Sequence, residues 1–351
     1  MPWKVRHRLQ KNLLQKSEAK MIDTNSRLIA YKDAAAEALL QAMEMDERVF
    51  LMGEGVDNVR GVYGQVLPSY EKFGPSRVID TPISENGLTG FAIGAALNGM
   101  RPVLIHQRND FMLLAMDQMM NQAAKLRYAS GGRHRVPLTI ISFIARRSGE
   151  GCQHSHSLQS VFAHFPGIKV GMPASPVDVK GMILVAIFDD DPVIILEHRH
   201  TPMFEMKEIV PKEYYETPYE ARIVVSGEDL TIVTISITVL NAIEACAGLN
   251  SQGIHPEIID LRWLRPIDIS PILNSVAKTG RLLVVDTGWR SCSISSEIVA
   301  LVAEKAYGFL RCSPRRITLP EAPCPASSFL EPLYHPCTAD IIKAVEEMIE
   351  R

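Results

Sequence analysis

The chain has 351 residues, of which 46% are hydrophobic and 22% are charged, and its net charge is −3. This balance is typical of globular proteins and provides no bulk attraction to nucleic acids or to an anionic membrane surface. No apolar run reaches the ~18–20 residues of a membrane-spanning helix. The six cysteines are scattered, without the close pairs of a zinc clip. We therefore expect a cytoplasmic protein with reduced thiols.

Strand-like and helix-like segments alternate through the first two hundred residues. Helices are predicted for "DAAAEALLQAMEM" at 33–45, for "ENGLTGFAIGAALNG" at 85–99 and for one long run at 111–132. The segments "RVFLMGEG", "RVIDTPIS", "RPVLIH" and "VPLTIISF" are predicted strands, and residues 178–199 a helix followed by a strand. This alternation indicates an α/β fold with a mostly parallel sheet.

A composition change divides the chain. Residues 201–221 are rich in proline and glutamate without a clear period, which is typical of a linker. Beyond them "DLTIVTIS", "HPEIIDLRWLRPID" and "RLLVVDTG" predict strands, and "VLNAIEACAGLNSQG" and "SSEIVALVAEKAYG" predict helices of a smaller parallel sheet. We therefore predict an N-terminal extension at 1–27, an α/β domain at 28–200, a linker at 201–221 and a second α/β domain at 222–351.

The stretch "TPISENGLTG" places Glu85 at the turn between a strand and a helix. Ligands in open α/β sheets collect beyond the carboxyl ends of strands, but an acid in the first helical turn can also simply complement the helix dipole. Gly87, Gly90 and Gly94 recur at helical spacing, although a glycine inside a helix costs roughly 0.5–1 kcal/mol relative to alanine. We expect that something approaches this helix face closely.

A second polar stretch, at residues 149–157, follows a predicted strand and carries two imidazoles. His154 and His156 supply only half a zinc site, and no pair of cysteines lies near them in the sequence. General acid/base or oxyanion-stabilising work is a better use of a loop histidine, and a solvated polar loop is the plain alternative. A third stretch, residues 189–191, puts three acids before a proline, which fits a helix-terminating turn or oxygen ligands for a hard cation.

Several motifs, in this order and spacing, resemble one known family: "GEGV", "RVIDTPISENGLTGFAIGAALNGMRPV", "AMDQMMNQAAKLRYASGG", "CQHSHS", "FAHFPGIKV", "DDDPVIILE" and "IIDLRWLRPID". They are similar to the β subunit of the thiamine-diphosphate-dependent 2-oxo acid dehydrogenases of the pyruvate, acetoin and branched-chain type, within the transketolase superfamily. The resemblance covers residues 28–350. It implies a pyrimidine-binding domain at 28–200 and a transketolase C-terminal domain at 222–351.

The resemblance also implies roles for individual residues. Glu85 would contact the aminopyrimidine ring of thiamine diphosphate and promote deprotonation of the thiazolium carbon, with Ile83 and Phe111 against the same ring. His154 would take part in the proton transfers of decarboxylation or acyl transfer, a role that does not extend to His156. A structural potassium ion is implied as well, at the positions Leu138, Thr139, Ala186, Asp189 and Asp191.

One motif of the superfamily is missing from this chain. Superfamily members hold the magnesium ion of the cofactor's diphosphate with a "GDG" motif, and the sequence contains no "GDG". We therefore expect the phosphate half of the site, with Mg²⁺, on a separate α subunit. The expected assembly is α2β2, with active sites between subunits and little activity of this chain alone.

The segment "IHQRNDF" at 105–111 is more polar than its counterpart in the pyruvate and branched-chain enzymes. It carries His106 and Arg108 at the carboxyl end of a predicted strand, and Arg146-Arg147 end the next strand. Such a cluster could hold an anionic group of the substrate or a carboxylate of the α chain. Ordinary subunit contact is the plain alternative.

Three functions are consistent with these residues. The first is a β subunit that, with an α subunit, decarboxylates a small 2-oxo acid and passes the acyl unit to a lipoylated acyltransferase. The second is a split transketolase-like or acyloin-forming enzyme of a biosynthetic pathway, which uses the same cofactor without a lipoyl partner. The third is a non-catalytic scaffold subunit, against which the presence of Glu85, Phe111 and His154 argues.

Overall fold

The computed structural model describes residues 26–58, 61–146, 148–199 and 201–350. All but the last two residues of the expected N-terminal extension lie outside this part of the chain. In the described ranges, no helix is long and apolar enough to cross a membrane.

Fourteen strands are present in the described residues. In chain order they are β1 Ser26–Ala30, β2 Val49–Gly53, β3 Val78–Asp80, β4 Arg101–His106, β5 Thr139–Ala145, β6 Lys169–Gly171, β7 Val193–Arg199, β8 Lys207–Pro211, β9 Arg222–Val225, β10 Leu230–Thr234, β11 Pro256–Asp260, β12 Trp263–Arg265, β13 Leu282–Trp289 and β14 Arg315–Leu319.

The α-helices of the same residues lie between these strands, except for the last two, which follow β14. They are α1 Tyr31–Met45, α2 Leu67–Phe73, α3 Glu85–Leu97, α4 Ala124–Ala129, α5 Gln159–Ala163, α6 Pro176–Phe188, α7 Ile237–Ser251, α8 Ser270–Thr279, α9 Ile294–Ala306, α10 Glu331–Tyr334 and α11 Thr338–Ile349. Short 3₁₀ helices occupy Gly61–Gly64, Phe111–Ala115, Pro202–Glu205 and Tyr307–Phe309.

Two larger sheets organise the molecule. The first has the order β12-β6-β7-β5-β4-β2-β3, in which β12 is antiparallel to β6 and the other pairings are parallel. The second has the order β14-β13-β10-β11-β9, and only β9 runs antiparallel to its neighbour. The predicted α/β fold, with two mostly parallel sheets flanked by helices, is confirmed. Strands such as β5 and β10 are buried at every residue, as expected for parallel strands covered on both faces.

The helix predicted at 111–132 is irregular. A 3₁₀ turn at Phe111–Ala115 leads into a π-helix at Asp117–Ala123, and α-helical geometry is confined to α4. The prediction of one regular α-helix is therefore wrong in its interior, although the segment is helical. Its buried side chains still line one face against the core, and π-helical turns are frequent near functional sites.

The boundary between the two domains is built from both. Inside the expected linker, β8 pairs antiparallel with β1 in a small separate sheet. From the second half of the chain, β12 extends the edge of the first sheet, and its Trp263 is buried and donates its indole N–H to the Pro218 carbonyl at 3.0 Å. One hydrophobic cluster runs continuously from Leu104 in the first sheet to Val284 in the second. The two domains therefore share a core.

Candidate active site

Four adjacent strands of the first sheet bring the candidate residues to one edge. The order β5-β4-β2-β3 places the carboxyl ends of parallel strands side by side. Glu54 follows β2, Glu85 follows β3, Phe111 follows β4 and His154 follows β5. This edge is where ligands collect in open α/β sheets.

Phe111 and His154 are in direct contact. Their ring centroids lie 5.2 Å apart in an edge-to-face arrangement, and both side chains are half-buried. Edge-to-face packing fixes ring orientation and contributes roughly 0.5–1.5 kcal/mol beyond area burial. Ile83 is 78% exposed at the turn before α3, beside Glu85.

Glu85 is the first residue of α3 and is buried. Ser84 precedes it without making a side-chain capping bond. The charge of Glu85 also acts on the Glu54 carboxyl. Burial raises the pKa of Glu54, and the charges of Glu85 and Asp80 raise it further. A carboxylate pair of this kind favours a ligand that brings hydrogen-bond donors.

His106 is linked to Glu85 through Thr89. The Thr89 hydroxyl donates to the Glu85 carbonyl at 2.7 Å and lies 3.2 Å from His106 Nε2. Because that hydroxyl has one proton, His106 must be the donor on its side, which places the ring proton on Nε2. Burial lowers the pKa of His106 to about 4, so the imidazole is neutral near pH 7. His106 therefore positions the start of α3 and contributes no positive charge.

Arg108 is paired within the chain. Its guanidinium donates to the Tyr63 hydroxyl at 3.0 Å and to Glu150 Oε1 at 3.1 Å. Arg199, from the end of β7, donates to both carboxylate oxygens of Glu150, and its guanidinium lies 5.1 Å from the Tyr63 ring centroid. Burial lowers the pKa of Arg199 to about 10, which still leaves it charged. One carboxylate thus pairs with two arginines and offsets one of their two positive charges.

The expected positive cluster is therefore divided. Arg146 is buried and donates to the Pro336 carbonyl of the second domain at 2.8 Å. Arg147 lies outside the described residues. His106 is neutral, and Arg108 and Arg146 each donate to a different partner. These described side chains therefore do not form one positively charged binding site.

Two residues that the sequence reasoning did not single out fix the histidine loop. Asn109 is fully buried, donates to the His156 carbonyl at 3.0 Å and accepts from the Leu158 N–H at 3.1 Å. Asp110 accepts from the His156 N–H at 2.9 Å and lies 2.6 Å from His156 Nδ1. The sequence did contain a signal for both residues, because they are polar and lie between the end of a predicted strand and Phe111.

The predicted potassium ligands lie at the opposite edge of the sheet. Leu138 directly precedes β5 and Thr139 begins it. Ala186, Asp189 and Asp191 belong to the end of α6 and the turn before β7. Lys169 Nζ lies 2.8 Å from each carboxylate oxygen of Asp189. Arg127 donates to Asp191 at 2.7 Å. Burial alone would raise the pKa of Asp189, but hydrogen bonds from Lys169 and Tyr219 outweigh it and lower that pKa.

The glycine face of α3 is largely open within the chain. A Cβ at Gly90 would lie 3.7 Å from Gln118 Oε1, and one at Gly94 would meet no described atom within 4 Å. Phe91 on the same helix is 60% exposed. At Gly94, no described residue packs closely against α3 in the way that the glycine spacing predicts.

Comparison with known proteins identifies the domains. The transketolase pyrimidine binding domain matches residues 27–203, and the transketolase C-terminal domain matches residues 219–341. A split gene transketolase, described as an inactive β4 tetramer, shares the fold with a TM-score of 0.73 at 19% identity, over 92% of this chain and 98% of that chain.

Curated relatives span nearly the whole chain. The β subunit of acetoin:2,6-dichlorophenolindophenol oxidoreductase of Cupriavidus necator is 40% identical over 336 residues, which cover 93% of this chain and 98% of the relative. The β subunit of the pyruvate dehydrogenase E1 component of Rickettsia bellii is 38% identical over 323 residues, covering 91% and 98%. The chain therefore belongs to the family of transketolase-type β subunits that includes those of pyruvate dehydrogenase E1 and acetoin oxidoreductase.

Proposed function

We propose that this chain is the catalytic β subunit of a thiamine-diphosphate-dependent enzyme that decarboxylates a small 2-oxo acid together with an α subunit. The observation that carries the proposal is the burial of Glu85 at the start of α3, on the same sheet edge as the Phe111–His154 pair. A buried carboxylate is costly unless it is hydrogen-bonded, and an aminopyrimidine ring offers both a nitrogen partner and an aromatic face.

The residues present fit the pyrimidine half of this cofactor. Glu85 would hold a ring nitrogen, while Phe111 and Ile83 would pack against the ring. The exposed Ile83 side chain would then lose apolar surface to the ring, which favours binding. When bound, the cofactor supplies the nucleophilic carbon and the electron sink that decarboxylation of a 2-oxo acid requires.

The side chains of this chain would orient the ring and move protons. Glu85 holds its position because its backbone carbonyl is fixed by Thr89, which His106 supports in turn. The His154 ring is oriented by its edge-to-face contact with Phe111. It would exchange protons with the substrate or acceptor. Asn109 and Asp110 hold the following residues of the same loop, so the imidazole stays oriented.

The α subunit would supply the diphosphate and magnesium site. The sequence lacks the "GDG" motif, and the open face of α3 around Phe91 and Gly94 is available to a partner chain. The split gene transketolase chain that shares this fold is described as an inactive β4 tetramer. This supports an α2β2 assembly as the active form, with little activity of the isolated β chain.

A structural potassium ion at the far edge of the sheet would depend on backbone oxygens. The carboxylates of Asp189 and Asp191 are already paired with Lys169 and Arg127. We propose that carbonyl oxygens near Leu138 and Ala186 would provide the ligands.

The acyl acceptor separates the alternatives. A lipoylated acyltransferase would accept the acyl unit in a dehydrogenase complex. Acyloin chemistry is the second candidate, since the acetoin oxidoreductase relative is as similar as the pyruvate dehydrogenase ones.

A substrate screen on the co-expressed αβ pair tests the proposal. Carbon dioxide release from 2-oxo acids and cleavage of acetoin would be followed with thiamine diphosphate and Mg²⁺, with and without lipoamide. We expect turnover only when both chains are present. Full turnover by this chain alone would contradict the shared site, and no turnover with any substrate would favour the scaffold alternative.

A further inference from the structure

The loop at residues 320–337 exposes three large apolar side chains and buries three side chains that can bind a metal ion. It connects β14 to α11, and α10 is its single helical turn. The large apolar residues Phe329, Leu330 and Leu333 are 80%, 49% and 77% exposed. Cys324, Glu331 and His335, in contrast, are 3%, 1% and 7% exposed. One large side chain, that of Tyr334, is buried with Leu319 and Cys324 and anchors the loop. The other three large apolar side chains contribute little to holding it.

The inward side chains converge. Cys324, Glu331 and His335 each offer one ligand atom, and all three atoms lie within 4.8 Å of one another. The His335 Nε2 and Glu331 Oε1 atoms are 3.8 Å apart. Tetrahedral zinc bonds of about 2.0–2.3 Å would place ligand pairs about 3.3–3.5 Å apart. Binding zinc would therefore draw the three ligand atoms closer together than they lie here and would leave one position for a fourth ligand.

We propose that Cys324, Glu331 and His335 form a binding site for a zinc-class divalent metal ion that clamps this loop of the second domain. One thiolate, one imidazole and one carboxylate are the ligand types that Zn²⁺ uses in proteins, and three of them leave a fourth position for water. On binding, the thiol proton is released to solvent and the sulfur–metal bond replaces the S–H bond. All three residues belong to the second domain, and the inference does not depend on the proposed function.

The carboxylate of Glu331 also extends across the domain boundary. It accepts hydrogen bonds from the Ser148 N–H at 3.2 Å and the Gly149 N–H at 2.9 Å. Hydrogen bonds to a ligating carboxylate are the usual support around a metal, and a carboxylate has lone pairs for both. The loop that contains Ser148 and Gly149 also packs against the second domain at Gly151, where a Cβ would lie 3.1 Å from the Ala326 Cβ. The clamp would therefore also support the loop that carries His154.

Metal analysis of the full chain, purified without chelator, tests this inference. Zinc content per chain would be measured for the wild type, for Cys324→Ser and His335→Gln, and for the control Cys337→Ser. Cys337 lies at the N-cap of α11, outside the cluster, and serine can keep that cap. We expect about one zinc ion per chain in the wild type and control, and loss of the ion in the two cluster variants. Wild-type chain with no more zinc than Cys324→Ser would overturn the proposal.

Cobalt substitution keeps the test decisive if the variants do not fold. Wild-type chain would be treated with chelator, dialysed and titrated with Co²⁺. We expect a sulfur-to-cobalt charge-transfer absorption that saturates at one equivalent and is reversed by Zn²⁺. Absence of that band would overturn the proposal, and neither experiment reads the activity of the cofactor site.

Discussion

Replacing Glu150 with glutamine should destabilise the first domain strongly. The Glu150 carboxylate lies between Arg108 and Arg199, whose side chains are only 18% and 3% exposed. Glutamine keeps the size but removes the negative charge, which leaves two largely buried guanidinium groups without compensation. Removing one partner of a buried ion pair costs roughly 3–5 kcal/mol. Because Glu150 itself is 23% exposed, we take the low end, about 3 kcal/mol.

Denaturant and thermal unfolding measure this loss directly. For a domain of this size about 1 kcal/mol corresponds to roughly 2–4 °C, so the midpoint should fall by about 6–12 °C. The matched control is Glu71→Gln, since Glu71 is an exposed acid on α2, and it should stay within about 0.5 kcal/mol of the wild type. A loss for Glu150→Gln no larger than that of the control would refute the idea that the pairing of this carboxylate with the two arginines stabilises the domain.

Two further predictions concern His106 and Gly94. The folded-state pKa of His106 is about 4 and its ordinary value is 6.5, so the unfolded chain takes up the proton first and stability should fall as pH drops from 6.5 to 4, by about 3 kcal/mol in total. His106→Asn should lose that part of the acid sensitivity in unfolding measured across this range, and an unchanged pH dependence would contradict the neutral imidazole. Gly94→Ala should stabilise the isolated chain by about 0.5–1 kcal/mol, because alanine is the better helix residue and its Cβ meets no described atom within 4 Å. The same variant should weaken association with the α subunit in sedimentation or co-purification, and unimpaired association would show that no partner packs on this face.

The sequence predicted most of the fold where buried strands and amphipathic helices follow their simple periods. The strands β2, β4, β5 and β7 and the helix α3 lie where their apolar runs and the Asn98-Gly99 terminator place them. The π-helical turns at Asp117–Ala123 have no signal in the pattern, because an α-helical apolar face and a π-helical one look alike over seven residues. The transfer of β12 to the first sheet depends on packing of Trp263 that no local pattern encodes.

The sequence predicted which residues lie at the candidate site better than it predicted the contacts that those residues make. Residues after strand ends could be placed at one sheet edge, since strand direction decides that. The charge state of His106 and the pairing of Arg108 with Glu150 depend on burial and on residues far apart in the sequence. The cluster of Cys324, Glu331 and His335 was missed because none of its spacings is that of a known zinc motif.

The rate of the Glu85→Gln variant in the co-purified αβ complex tests the central claim most directly. Carbon dioxide release would be measured at saturating thiamine diphosphate and Mg²⁺, with Glu71→Gln as the control and with sedimentation to show that the complex is intact. Loss of a positioned proton-transfer group lowers rates by roughly 10²–10⁴-fold, and we predict a fall in that range for Glu85→Gln alone. An intact complex that turns over at the wild-type rate would contradict the assignment of Glu85 to the cofactor.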